Sequence, residues 1–391
     1  MRPAYLCIII LSICSYVQAL DVRVLLAEFL VNESPVVQLR SAGGFVVSRG
    51  DKTDVHEINQ DVLSITFAKG HVLLDGRPLA VSQFIIHPKN ENDGLGLADH
   101  VYDGDFMVSV WRDKLFIVNM LDLEAYLCSV LRWEGWPTWH EEANRAFAVV
   151  CRTYAAHKVF LARKRIKKKA LGLLFDIHAS NTHQTYAGRH KQRHWKQVVE
   201  ETSGMILAYQ GEPIAAMYDM SCGGIVPSSL AGIDFAKYPY LKRDYPCLAC
   251  RDWPHYAWKK EISVGEFEQR LQVRLRTGVS DARVFSLKHD AAGTLCQLSV
   301  KTRRGAHVIS GKQFYSLFKK EAKSLYCAIE KKGKSIIVEG KGYGHLLGYC
   351  QWGAAYMAKE QGVKYKELLS FFYPEAQLAR LKKRGEVSAG I

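Results

Sequence analysis

The stretch VLRWEGWPTWHEEANRAFAVVCRTYAAHK, Val130 to Lys158, decides how the chain is read. It carries one carboxylate, Glu134, among three tryptophans, Trp133, Trp136 and Trp139. Just upstream, LDLEAYLCSVLRW (121–133) places Leu123, Leu127, Val130 and Leu131 on one side of a helix, which Gly135 and Pro137 interrupt. Glu141 and Glu142 then stand in the first turn of a second helix, where acids complement the dipole. Ala143, Ala146, Phe147, Val150 and Tyr154 recur at helical spacing and predict a buried face. Glu134 is therefore expected on a bend between two packed helices, held firmly yet open to solvent. Two readings compete. Either the tryptophans are core and Glu134 is a capping or ion-paired acid, or rings and acid together grip a sugar.

The second reading has a definite chemistry. Breaking a glycosidic bond needs a proton donor for the leaving oxygen. A carboxylic acid serves near neutral pH when apolar or aromatic surroundings favour its protonated form. Trp133, Trp136 and Trp139 could supply that setting, and their faces could stack on sugars. Hydrolases of the common kind want a second carboxylate across the bond. Glu124, Glu141 and Glu142 are the candidates nearby.

Outward from the bend, the chain divides. Residues 20 to about 118 read as β-rich: VRVLLAEFL, FVVS, VLSITF, HVLL, QFIIH and FMVSVW are short runs between the turn-like pieces SAGG, KGH, LDGRP and PKNENDG. The helical segment that carries Glu134 follows. Beyond it come a helix near HWKQVVEETSG, strands such as CQLSVKT and SIIVEG, a Gly-rich loop GKGYGHLLGYCQWG, and two helices, AAYMAKEQG and YKELLSFFY. The expectation is an α+β fold with a β-rich front at 20–118, a catalytic region at 119–380 and a short disordered basic tail at 381–391. There is no fixed internal repeat.

The first nineteen residues, MRPAYLCIIILSICSYVQA, have the layout of a secretory signal peptide, with an early Arg2, an apolar run and a small residue at Ala19. Export to the periplasm or cell envelope is the expectation. Net charge is +14, with 53 basic against 39 acidic residues. An exported basic chain points to anionic partners such as membrane surfaces, wall polymers or acidic glycans, and the leader counts against nucleic acid. The sharpest basic run, Arg163 to Lys169, reads most simply as a solvated helix end or loop. Eight of the ten cysteines lie beyond the leader, an even number in an exported chain, so disulfides are possible. Cys247 and Cys250 form a lone Cys-x-x-Cys, without a second pair at zinc-ribbon spacing.

Other clusters could carry chemistry. His178 and His183 in FDIHASNTHQTYAG could ligate a metal or hydrogen-bond to each other. Cys222 in YDMSCGG, with His345 far downstream, could form a thiol–imidazole pair, although no thiol-protease signature surrounds it. The glycines at 340, 342, 344, 348 and 353 match neither a dinucleotide fingerprint nor a P-loop. They permit close backbone approach, and His345 and Gln351 could then aim polar groups at a groove.

Taken together, these stretches resemble the SpoIID/LytB family. Glu134, Trp139 and CRTYAA follow its first block. HQTYAG, then VVEETSGMILAYQGEPIAAMYDMSCGG, is similar to its Cys-Gln-x-Tyr-x-Gly, Thr-x-Gly and Ser-x-Cys-Gly-Gly. GKGYGHLLGYCQWGA with YKELLSFFYP resembles its Gly-x-Gly-His-Gly-x-Gly-x-Ser-Gln-x-Gly-Ala and closing Tyr-Tyr-Pro. The blocks stand in order over roughly 115–378. The resemblance implies a peptidoglycan lytic transglycosylase that leaves 1,6-anhydro-muramic ends, with Glu134 as both acid and base, in division, wall remodelling or a sporulation-type process. It also implies substrate contacts from Trp133, Trp136, Trp139, Arg152, Gln184, Tyr186, Cys222, His345 and Gln351. Some family members bind zinc in the second block, which here implies a zinc option on His178 and His183, with His183 at the family's cysteine position. Leu346 replaces a family glycine and Cys350 a family serine. The alternative, from the LytB branch, is a non-catalytic glycan-binding activator of a cell-wall amidase.

Overall fold

A computed structural model describes residues 20–49, 55–68, 70–79, 81–166, 174–275, 283–302, 305–381 and 387–389. Among these, twelve strands precede the first α-helix: β1 (Asp21–Leu30), β2 (Val36–Arg40), β3 (Phe45–Ser48), β4 (Val55–Ile58), β5 (Val62–Ala68), β6 (His71–Leu74), β7 (Arg77–Leu79), β8 (Gln83–Pro88), β9 (Leu95–Leu97), β10 (His100–Tyr102), β11 (Asp105–Trp111) and β12 (Lys114–Asp122). The runs expected as strands all form strands, and the fold is α+β. The signal-peptide reading and most of the expected tail lie outside the described residues.

The front makes two sheets. One has the order β13-β1-β12-β11-β8-β3-β4, where β13 is Ile177–His178; the other is β10-β9-β2-β5-β6-β7. β13 runs parallel to β1, with Val24 beside Ile177. Alternation places Val22, Val24, Phe45, Phe84, Phe106 and Ile117 of one sheet in the same core as Leu39, Leu63 and Ile65 of the other. Helix α1 (Leu123–Glu134) follows β12 directly. The side chain of Asp122 ends the strand and caps the helix, accepting from Glu124 N at 2.7 Å and Ala125 N at 3.4 Å. The change of character near 119 thus falls inside a strand, and the same core continues from the sheets into the helices.

Helix α2 (Glu141–Ile166) is the hub. It packs on α1, on α3 (Arg193–Glu201) and on β14 (Met205–Tyr209). Ala143, Ala146, Phe147, Val150 and Tyr154 are buried along it, as their spacing predicts. Two short strands follow, β15 (Glu212–Pro213) and β16 (Tyr218–Asp219).

Residues 257–341 build an inserted lobe with its own core. Its elements are β17 (Ala257–Ser263), α4 (Val264–Leu275), β18 (Arg283–His289), β19 (Leu295–Thr302), β20 (Gly305–Ser310), α5 (Gly311–Phe318), β21 (Cys327–Lys332) and β22 (Ser335–Lys341). Phe318 stacks between Phe267 and Phe314 at its centre, 5.0 Å from each by ring centroid. The lobe meets the rest of the chain where Trp258 Nε1 donates to Gly342 O at 2.8 Å. After it, β23 (Tyr349–Cys350) pairs parallel with β16 and leads into α6 (Gln351–Glu360) and α7 (Tyr365–Phe372), both of which pack on α2. β24 (Gln377–Leu381) and β25 (Val387–Ala389) close a small sheet on β14. Residues 387–389 were expected in a disordered tail. Instead they add a strand to β24, with Arg380 opposite Ser388, because the sheet edge there offers unpaired backbone groups. No helix among the described residues is long and apolar enough to cross a membrane.

Phe314 is fully buried in the separate core of the lobe. Phe314→Ala should cost about 3–5 kcal/mol of lobe stability and speed amide exchange in β18–β20 while α1 and α2 stay protected. Equal loss of protection in both regions would contradict two separable cores.

Candidate active site

Glu134 is the last residue of α1, and the helix stops there for a steric reason. Gly135 donates its N–H to Leu131 O at 3.0 Å, and a Cβ on it would lie 2.7 Å from Trp195 Cη2. The chain must turn beneath the fully buried indole of Trp195. Two distant segments then grip the glutamate. The backbone N–H of Thr185 donates to Oε1 at 2.7 Å. The side-chain amide of Gln351, at the start of α6, donates from Nε2 to the main-chain O of Glu134 at 3.0 Å. Oε2 has no hydrogen-bond partner among the described residues. Below the carboxylate lies a floor of buried phenols. Burial, with the Glu134 charge adding to it, pushes Tyr154 up to about 12 and raises Tyr126 and Tyr218 well above the usual phenol range.

Beside the bend runs a row of rings. Trp136 stacks on Trp139 at 6.0 Å, Trp139 meets Trp352 edge-on at 5.2 Å, Trp352 stacks on Trp253 at 5.3 Å, and Trp253 reaches Tyr343 at 6.1 Å. Trp139, Trp253 and Trp352 line a groove of about 380 Å³ together with His140, Asp252 and Tyr356. Glu134 does not line that groove. It adjoins it through Gln351, the residue before Trp352. A larger hollow of about 680 Å³ lies on the inserted lobe. Among its polar side chains, Glu339 pairs with Lys259 at 3.4 Å, and His289 Nε2 is 2.9 Å from Cys327 O.

The structure distributes the expected substrate contacts unevenly. Trp136 and Trp139 stand in the ring row. Trp133 is 50 % exposed and outside it, its ring beneath the Arg132 guanidinium at 5.3 Å. Arg152 is wholly buried. Its guanidinium grips Glu124 at 2.7–3.1 Å and donates to Val199 O and Met205 O, each at 3.2 Å, so it braces the core out of reach of a glycan. Gln184 is also buried, accepting from Tyr126 Oη at 3.1 Å and donating to Cys151 O at 3.3 Å. Tyr186 lies flat on Tyr126 and donates to Asn119 Oδ1 at 2.5 Å. Gln351 is buried and acts on Glu134 rather than on a ligand. His345 stays partly exposed on the Gly-rich loop, its Nδ1 accepting from Leu347 N at 3.1 Å. Below that loop, Leu346 N donates at 2.5 Å to Asp219, whose carboxyl burial holds well above the usual range. Leu346, at the family's glycine position, has a φ of +69°, a backbone region that suits glycine better.

The metal reading of His178 and His183 gains no support from their surroundings. His183 Nδ1 accepts from His178 N at 3.0 Å, and the rings are 5.4 Å apart. No third His, Cys, Asp or Glu among the described residues completes a site with them. Burial lowers His183 to about 4, so it stays neutral. The one cluster with ligand spacing among the described residues is Cys222, Cys247, Cys250 and Cys350, all buried, with sulfurs within 4.8 Å of one another. Cys222 Sγ lies 3.8 Å from Cys250 Sγ and 3.6 Å from Cys247 O, and no hydrogen bond joins it to His345 among the described residues. None of the eight cysteines beyond the leader is joined in a disulfide in this structure. Trp253, Trp352, the Thr185 amide and the cysteine cluster all escaped the sequence reading, since each acts with residues far away in the chain.

The buried Arg152–Glu124 pair yields a test. Arg152→Met should destabilise the chain by about 3–5 kcal/mol in urea unfolding, because Glu124 loses its buried guanidinium partner and keeps only the Gly204 N–H, at 3.0 Å. A stable Arg152→Met protein with weakened glycan binding would contradict the bracing role.

The chain is similar in sequence to known proteins. Residues 112–209 match the family model described as Stage II sporulation protein. An uncharacterized protein of Brachyspira hyodysenteriae is 30 % identical over 72 % of this chain and 73 % of its own length. Stage II sporulation protein D of Bacillus subtilis is 26 % identical over 70 % of this chain and 78 % of its own. The amidase enhancer of Bacillus subtilis is 24 % identical over 62 % of this chain and 38 % of its own. The matched span holds α1, the Glu134 bend, α2 and the Thr185 loop, and on these grounds the chain belongs to the SpoIID/LytB family.

Proposed function

We propose that the protein is exported and cuts the glycan strands of peptidoglycan as a lytic transglycosylase, with Glu134 as its single acid and base. The observation that carries this reading is the way Glu134 is held: clamped at its main chain and at Oε1, with Oε2 uncommitted, next to a row of indoles. The three acids that could have served as a second carboxylate are engaged elsewhere. Glu124 is bound by Arg152, while Glu141 and Glu142 pair with Arg145 at 2.9 and 3.1 Å. One free acid suits a reaction in which the same group gives and then takes a proton. Protonated Glu134 gives its proton to the glycosidic oxygen as the bond to muramic C1 breaks. The carboxylate then takes the proton of the C6 hydroxyl as O6 closes on C1, so no water is consumed. The indoles would stack on sugar faces and keep the strand in register, and the +14 charge favours an anionic wall.

A second reading, a glycan-binding activator of a cell-wall amidase, draws on the relative named amidase enhancer. Under it the ring row would still bind glycan, and Glu134 would be dispensable.

One measurement separates them, and a second tests the glycan site that both share. Peptidoglycan, intact and stripped of stem peptides, is incubated with the mature chain and the products are read by mass spectrometry. Anhydro-muramic ends should appear, and Glu134→Gln should reduce them at least about 100-fold, the low end of general acid–base contributions. Reducing ends would mean hydrolysis, and a folded Gln variant as active as wild type would remove Glu134 from the chemistry. Trp352→Ala should weaken glycan binding roughly tenfold, from loss of about 1–1.5 kcal/mol of ring contact; unaltered affinity in a titration would place the glycan elsewhere.

A further inference from the structure

Four cysteines from three separate segments converge in the core. Cys222 follows β16, Cys247 and Cys250 lie on the loop before the inserted lobe, and Cys350 ends β23. All four are buried, at 0–1 % exposure. Their sulfurs lie within 4.8 Å of one another, and Cys222 Sγ is 3.8 Å from Cys250 Sγ. A zinc ion with Zn–S bonds near 2.3 Å sets its tetrahedral sulfurs about 3.8 Å apart. A four-iron cluster also takes four cysteines, but it spreads them across the width of its cube, and this set is too tight.

The surroundings offer the sulfurs hydrogen bonds and room. Cys222 N and Gly353 N both donate to Cys350 Sγ, at 3.3 and 3.4 Å. Cys350 is also the N-cap of α6, so its sulfur sits at the positive end of a helix. Gly353 leaves the space the sulfurs need: a Cβ there would lie 2.5 Å from Cys247 Sγ and 3.1 Å from Cys350 Sγ.

We propose that Cys222, Cys247, Cys250 and Cys350 bind one structural zinc ion. Four protein ligands fill a tetrahedral shell and leave no position for water or substrate, which marks a structural rather than a catalytic site. The ion would join the loop after β16, the Cys-x-x-Cys loop and the start of α6. The fourth ligand adjoins Gln351, which grips Glu134, and Trp352 of the ring row. Cys250 stands three residues before Trp253, which stacks on Trp352. The zinc would therefore brace the back of the aromatic wall. It would also protect the thiols from oxidation in an exporting compartment. This inference rests on the four thiols alone and holds whether or not Glu134 is catalytic.

The test is elemental analysis of the full-length mature protein, purified without chelator and desalted. One zinc per chain is expected. Cys250→Ser and Cys350→Ser should lose it and unfold at lower temperature, while Cys296→Ser, outside the cluster, should keep it. Should the cluster variants fail to fold, wild-type protein treated with an organomercurial thiol reagent should release one zinc per chain to a colorimetric indicator. A folded wild-type chain without metal, whether its four cysteines are free or disulfide-linked, would overturn the proposal. So would iron in place of zinc.

Discussion

The side-chain amide of Gln351 and the backbone N–H of Thr185 hold the two ends of one residue, Glu134, and the arrangement of the site depends on that grip. A carboxylate at a helix end would otherwise sample many rotamers. Here its main chain is tied to the start of α6 and Oε1 to the loop at Thr185, so Oε2 is presented in one place. Preorganisation of this kind is what a group that must both give and accept a proton requires. The grip also explains the long path of the chain. Glu134, Thr185 and Gln351 are distant in sequence, and α2 is the hub against which their elements pack.

The bend and much of the fold are legible in the order of the residues. Alternating runs in the front form strands, and the spacing of Ala143, Phe147, Val150 and Tyr154 marks the buried face of α2. Where residues sit differently from expectation, the causes are physical. Arg152 and Gln184 are polar residues that composition places at the surface, but each is buried with its hydrogen bonds met by partners that no local pattern reveals. Thr185 acts through its backbone, so its side-chain type carries no signal. Trp352 meets Trp139 and Trp253 only because the Gly-rich loop and the Cys-x-x-Cys loop fold back onto the bend.

The cysteines make the same point. The Cys-x-x-Cys looks solitary in the chain because its partners, Cys222 and Cys350, lie 25 or more residues to one side and 100 to the other. Cys350 stands where the family has serine, and the packed core gives that exchange a meaning: its sulfur is the fourth of the cluster. The same loop that delivers Cys350 delivers Gln351 and Trp352, so one short segment serves the metal site, the glutamate and the ring row. The inserted lobe has its separate phenylalanine core and meets this arrangement through Trp258 and Gly342 and through Lys323, whose O accepts from Gly344 N and whose ammonium lies over Tyr343.

The most direct test of the account is a crystal structure of the Glu134→Gln protein bound to a tetrasaccharide of stripped peptidoglycan glycan. The account predicts sugar rings stacked on Trp352 and Trp139, with a glycosidic oxygen about 3 Å from the side-chain amide at position 134. A glycan seated away from the bend, in the hollow of the inserted lobe for example, would contradict it.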